Sequence, residues 1–212
     1  MPELRIAVLV SGAGTNLQAI LDRLHGRDGV EVVAVASSKP GVEALDRAQA
    51  AAIDTAVFED ARYRDREVRD REMVAWLQER DADLVVLAGF MELLTPTFLR
   101  AFENRVINVH PALLPAFPGA HPIEDQLAYG VKVGGVTVHF VDEGVDSGAI
   151  ILQEPVRLPY TRDQEEALAR LHEIEHELLP RAIRLIARGA VRVDRDNPRL
   201  VHVDETALGG SE

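Results

Sequence analysis

The sequence predicts a doubly wound α/β fold, a mainly parallel (mixed) sheet with helices on both faces. Three observations predict it. Residues 5–10, 30–37 and 84–88 are strand-length apolar runs without the polar alternation of a strand that has one wet face. Helical patterns separate these runs, and strands alternating with helices build parallel crossovers. A glycine turn, Ser11-Gly12-Ala13-Gly14-Thr15-Asn16, follows the first run and feeds a helix. In such sheets ligands gather beyond the carboxyl ends of the strands, near the point where strand order reverses.

Taken in order, the helix after the glycine turn points Leu17, Ile20, Leu21 and Leu24 inward, with Thr15 or Asn16 available to cap it. Residues 30–37 form the second strand, 42–52 an alanine-rich helix and 55–58 a short third strand. Residues 65–80 are dense in charge. Val68, Met73, Trp76 and Leu77 give them only a rough stripe, the pattern of a helix packed on the sheet with one face wet. The strand at 84–88 stops at Gly89-Phe90, and Thr95-Pro96 opens a short helix, with the hydroxyl as N-cap and the proline at the first helical position. Residues 106–110 make the next strand.

After His121 come a helix at 123–129, with Gly130 as its C′ residue, and a strand at 136–141. In that strand Thr137 and His139 face one way and Val136, Val138 and Phe140 the other. An acidic turn leads to a strand at 150–156. Thr161 and Gln164 match a capping box that opens a long helix to about Arg188, bent near Pro180. Residues 189–212 show weak alternation at 191–193 and 200–203 and a polar end. The expected organisation is one domain over 1–188 and a C-terminal extension over 189–212.

Composition narrows the functional classes. The 212 residues suit one domain with an appendage, and the hydrophobic content of 47% is ordinary for a soluble protein. With no cysteine, disulfides and thiolate metal sites are excluded. A formal charge of −12 opposes gripping a phosphate polymer, so nucleic acid is not an expected partner. No stretch approaches the length of a bilayer span and no secretory leader is visible, which makes the cytoplasm the default location. A small phosphorylated metabolite is compatible with the charge, because a few backbone amides hold one phosphate. Oligomeric state is not legible.

The chemistry concentrates at residues 106–121. An apolar strand around Asn108 ends in His110, then runs into Pro111, Pro115 and Pro118, a stiff loop that cannot pair in a sheet. Asn108 and His110 are two apart and share a strand face. A lone histidine is more often a satisfied core residue than a catalytic one. Here an amide and an imidazolium aimed at one point are what an oxyanion at a tetrahedral centre requires. Asp146, in a later acidic turn, is a candidate partner that would orient the ring and favour its charged form. Zinc binding is the rival reading, disfavoured by the lack of H-x-H spacing and of any H-E-x-x-H pattern near His110, so no metal is expected. The glycine turn lacks the lysine of an ATP-type loop and departs from G-x-G-x-x-G at Leu17. It either holds one anion at a helix N-terminus or merely permits close packing.

Asn108-Val109-His110-Pro111-Ala112-Leu113-Leu114-Pro115, with Asp146 inside Asp142-Glu143-Gly144-Val145-Asp146-Ser147-Gly148, closely resembles the folate-dependent formyltransferases. Ser11-Gly12-Ala13-Gly14-Thr15-Asn16-Leu17 and Leu87-Ala88-Gly89-Phe90-Met91 resemble, within them, the phosphoribosylglycinamide formyltransferases of purine synthesis. The resemblance covers roughly residues 4–188 in the same order. It implies a Rossmann-like formyltransferase fold and transfer of a formyl group from 10-formyltetrahydrofolate, as co-substrate, to the amine of glycinamide ribonucleotide. It also implies catalytic roles for Asn108, His110 and Asp146, and contact with the ribonucleotide through Gly14, Thr15, Asn16 and Glu175. Folate binding would fall to Arg66, Met91, Glu92, Leu93, Leu94, Asn108, Asp142, Glu143, Gly144 and Val145. Ala112 stands where the family often has serine, Glu92 where some members have arginine and His172 where some have glutamine.

The alternative on the same scaffold is a formyltetrahydrofolate hydrolase, with water as nucleophile. The phosphate turn and the lack of a preceding regulatory domain favour the transferase. A methionyl-tRNA formyltransferase is disfavoured by the acidity of the chain. A non-catalytic binding module would be marked by loss of the asparagine, histidine or aspartate, and all three are present.

Overall fold

A computed structural model describes residues 3–158 and 164–208. The expected capping box falls on Thr161 and the Gln164 side chain, outside the described residues. Two compact units are present, Met1–Asn108 and Val109–Glu212.

In the first unit β1 (Leu4–Val10), α1 (Thr15–Arg23), β2 (Val30–Ser37), α2 (Glu43–Ala50), β3 (Asp54–Val57), α3 (Arg66–Gln78), β4 (Leu84–Leu87) and α4 (Pro96–Ala101) alternate, and β5 (Val106–His110) begins. The strands lie in the order β3-β2-β1-β4-β5, each pair parallel. Residues from Ile6 to Val10 and from Leu84 to Ala88 are buried on both faces, which is why these strands read as unbroken apolar runs. Leu17, Ile20 and Leu24 of the first crossover are fully buried, each contributing about 1.5–3 kcal/mol.

Four local expectations are corrected here. Neither Thr15 nor Asn16 caps α1: the N-cap is Gly14, at φ 73°, with no side-chain cap. A Cβ on Gly14 would lie 2.6 Å from that of Ala44, so the left-handed backbone and the close approach of α2 both demand glycine there. Leu21 is half-buried rather than inward. In α3 the buried face is Arg69, Asp70, Met73 and Leu77, while Val68 and Trp76 are half-buried. Arg69, Met73 and Leu77 follow one another at four-residue spacing, and Trp76 instead meets Phe58 edge-on at 5.9 Å beneath the Arg80 guanidinium. Thr95 does occupy the N-cap of α4, with Pro96 first in the helix, but its hydroxyl makes no capping bond. Its backbone N–H donates to the Asp70 carboxylate instead, at 2.7 Å.

The second unit holds α5 (Pro122–Tyr129), β6 (Val133–Phe140), β7 (Ile150–Arg157), α6 (Gln164–Ala187), β8 (Val191–Val193) and β9 (Val201–Val203). β6 and β7 pair antiparallel, with a register shift between Val138 and His139. Residues 134–139 of β6 are buried on both faces, including Thr137 and His139. α6 packs on both strands and continues through Pro180 as one helix. The extension is docked: β8 and β9 form an antiparallel pair, β9 lies along β7, and the 3-10 turn Glu205–Leu208 lies against α6. Together the parallel strands and the antiparallel pair make the mixed, mostly parallel α/β fold that the sequence predicts. Among the described residues no helix is long and apolar enough to cross a membrane.

Candidate active site

His110 ends β5 and is nearly fully buried. The proline loop after it is fixed from beneath by three polar side chains that the sequence reading did not single out. Thr137 Oγ1 donates to the Ala112 carbonyl at 2.6 Å and accepts from Leu114 N at 3.1 Å. Gln126 Nε2 donates to the Pro111 and Pro122 carbonyls at 2.8 and 2.9 Å, and Gln153 Nε2 donates to the Leu114 carbonyl at 2.8 Å. Proline supplies no donor and its loop cannot join the sheet, so its carbonyls must find side-chain donors. Amides and a hydroxyl inside apolar segments were the available signal. Ala112 itself is fully buried.

This loop and the acidic turn converge on His110. His110 Nε2 donates to the Phe117 carbonyl at 2.8 Å, which leaves Nδ1 facing Asp146 Oδ2 at 3.5 Å. Asp146 Oδ2 also accepts from Gly119 N at 2.8 Å. On its other side Asp146 Oδ1 lies 3.7 Å from His139 Nε2, and His139 Nδ1 donates to the Phe140 carbonyl at 2.8 Å. One carboxylate is therefore flanked by two imidazoles. Burial pushes the His139 pKa below its ordinary value, outweighing the nearby carboxylate. The turn is shaped by Asp142, which accepts from Gly144 N at 3.0 Å and Ser147 Oγ at 2.7 Å. A Cβ on Gly148 would overlap the Phe140 carbonyl oxygen, so only glycine lets the turn return against β6. Asp146 has a left-handed backbone, φ 49°.

The structure thus brings His110 and Asp146 together and adds His139. Asn108 lies half-buried two residues before His110 on β5. Asp142, Glu143, Gly144 and Val145 form the exposed rim of the turn. Glu175 is buried in α6, its carboxylate 4.0 Å from His172 Nε2. The His172 pKa is lowered by burial and then by His176, whose ring stacks on it at 5.9 Å. In the first unit Gly14, Thr15 and Asn16 begin α1, and Arg66 is exposed at the start of α3, behind the Asp65 cap. Met91 and Leu93 are exposed at 65% and 57%, with Glu92 and Leu94 half-buried. Among the described residues no group of three or more histidines or carboxylates is placed to hold a metal ion.

A histidine oriented at one nitrogen by a carbonyl and faced at the other by a carboxylate is chemically able to hold and pass a proton. The sequence pattern of the formyl transferase family matches residues 4–183, and the chain belongs to that family. It is 39% identical to the phosphoribosylglycinamide formyltransferase of Haemophilus influenzae over 96% of this chain and 95% of that protein. It is 44% identical to part of the trifunctional purine biosynthetic protein adenosine-3 of Drosophila pseudoobscura pseudoobscura, spanning only 14% of that relative's length. In three dimensions it is similar to glycinamide ribonucleotide transformylase 1 from Symbiobacterium toebii, with a TM-score of 0.91, 43% identity, and coverage of 95% of this chain and 94% of that one.

Proposed function

We propose that this chain transfers the formyl group of 10-formyltetrahydrofolate to the primary amine of glycinamide ribonucleotide, a cytoplasmic step of purine biosynthesis. The observation that carries the reading is the meeting of His110 and Asp146, remote in sequence, at the end of the strand that also bears Asn108. The amine is itself the nucleophile, so no covalent enzyme intermediate is needed. Its nitrogen bonds to the formyl carbon, the carbonyl oxygen gains negative charge, and the bond from that carbon to folate N10 then breaks.

The Asn108 amide and charged His110 stabilise the oxyanion. Because His110 Nδ1 faces Asp146, the N–H for that oxygen is the one at Nε2, now donated to the Phe117 carbonyl. Asp146 orients the ring and passes the amine's proton, through water, toward N10. Gly14, Thr15 and Asn16 receive the ribonucleotide phosphate where the helix start and its dipole favour an anion, and Glu175 contacts the same substrate. Arg66 and the segment Met91, Glu92, Leu93 and Leu94 hold the folate, with Asn108 and the turn of Asp142, Glu143, Gly144 and Val145.

A spectroscopic assay of formyl transfer with both substrates tests this reading. The expected result is turnover only when the ribonucleotide is present; formate release at a comparable rate without it would assign the chain to hydrolysis instead. Asn108→Ala and His110→Ala should each lower kcat about a hundredfold or more in folded protein. Near-normal turnover in both would remove the assignment.

A further inference from the structure

We propose that Arg69 and Asp70 are positioning residues for the folate co-substrate, a buried ion pair that sets the backbone shape of residues 91–95. The inference rests on the assignment of Met91, Glu92, Leu93 and Leu94 to folate binding. Both side chains are fully buried in the first unit. Arg69 Nε donates to Asp70 Oδ1 at 2.9 Å, and Nη2 lies 2.8 Å from the same oxygen. The remaining contacts leave the helix. Arg69 Nη2 donates to the Leu93 carbonyl at 3.1 Å, and Asp70 Oδ2 accepts from Thr95 N at 2.7 Å. Arg69 Nη1 donates to Asp60 at 3.3 Å and lies 3.8 Å from the Glu92 carboxylate. The loop's other end is tied to the residue that follows β1, where Met91 N donates to Ser11 Oγ at 2.9 Å.

The pair therefore grips the residues on both sides of Leu94 from beneath, while Met91 and Leu93 turn their side chains outward. Stability alone does not explain a charge pair on this face. Well-packed apolar side chains of similar volume commonly serve as well or better, and Met73 and Leu77 on the same face show that the helix accepts them. What apolar groups cannot do is fix the direction of a carbonyl and an N–H two residues apart. Arginine suits the task because its planar fork offers several donors at fixed angles, where lysine offers one compact ammonium.

The test replaces the pair together, Arg69→Met/Asp70→Leu, and measures KM for 10-formyltetrahydrofolate, KM for the ribonucleotide, kcat and Tm. The expected result is a folded protein whose folate KM rises about tenfold or more while the ribonucleotide KM stays within about twofold. Arg69→Lys should lie between the two. Equal rises in both KM values, or an effect on kcat alone, would reduce the pair to a structural role and overturn the proposal. Met91→Ala/Leu93→Ala separates the two levels of inference. A folate KM raised by that variant but not by the pair replacement overturns the positioning role and keeps the folate surface. A folate KM unchanged in both overturns the folate assignment and the positioning role with it. Should the pair replacement fail to fold, Arg69→Lys decides on the same criterion: a selective rise in folate KM supports the role, and parallel shifts overturn it.

Discussion

The two units each bury a charged cluster beneath a loop, and the clusters are built on opposite principles. In the first, Arg69 and Asp70 are joined by short bonds of 2.7–3.1 Å that continue into the backbone at Leu93 and Thr95. Arginine does not lose its proton in proteins, so the cation of this cluster is permanent. In the second, Asp146 stands between His110 and His139 at the looser distances of 3.5 and 3.7 Å, and imidazoles change charge within the physiological range. The contrast separates shape from chemistry: close bonds to a permanent cation hold a backbone still, while the longer approaches of a carboxylate to two imidazoles suit the proton transfer proposed for that site.

Single substitutions can break that contrast or sharpen it. The largest expected effect is that of Asp146→Asn, which keeps an acceptor for Gly119 N but removes the charge facing His110. It should lower kcat about a hundredfold or more and leave Tm nearly unchanged; a large fall in Tm with retained kcat would cancel the distinction. Asp70→Asn should behave in the opposite sense. Leaving a buried guanidinium short of its nearest partner costs about 3 kcal/mol, or a fall in Tm of about 6–12 °C by thermal melting, and kcat should change less than tenfold.

The smallest effect is in pH. The His139 pKa is depressed from 6.5 mainly by burial, and that of His172 by burial and then by His176. Below about pH 6.5 the unfolded chain takes up protons at these positions that the folded chain does not. The stability they contribute is complete above that pH and is lost as pH falls toward the depressed values. Tm should fall between pH 7.5 and 5.5, with a shallower slope in His139→Gln. An identical slope would show that His139 is not the group responsible.

The difference between the clusters also explains what could be read from the sequence. Strand and helix order was legible because buried parallel strands are uninterrupted in apolar residues. Asn108, His110 and Asp146 were legible because an imidazole ending an apolar strand before three prolines, and an acidic turn rich in glycine, are locally unusual. Arg69 and Asp70 were not. Charge at helical spacing reads as a wet face, and what buries these two is a partner some twenty-five residues away, Thr95 N for Asp70 and the Leu93 carbonyl for Arg69. His139 was seen as a face-alternating residue, but the burial that lowers its pKa comes from packing on both faces of residues 134–139, which alternation does not report.

The backbone of Asp146 has φ 49°, a conformation that aspartate and asparagine accept and that side chains branched at Cβ resist. If Asp146 acts as proposed, position 146 is filtered twice, by torsion and by reactivity. A library of variants there would confound a deformed turn with a missing charge at nearly every substitution, and asparagine alone offers a clean comparison.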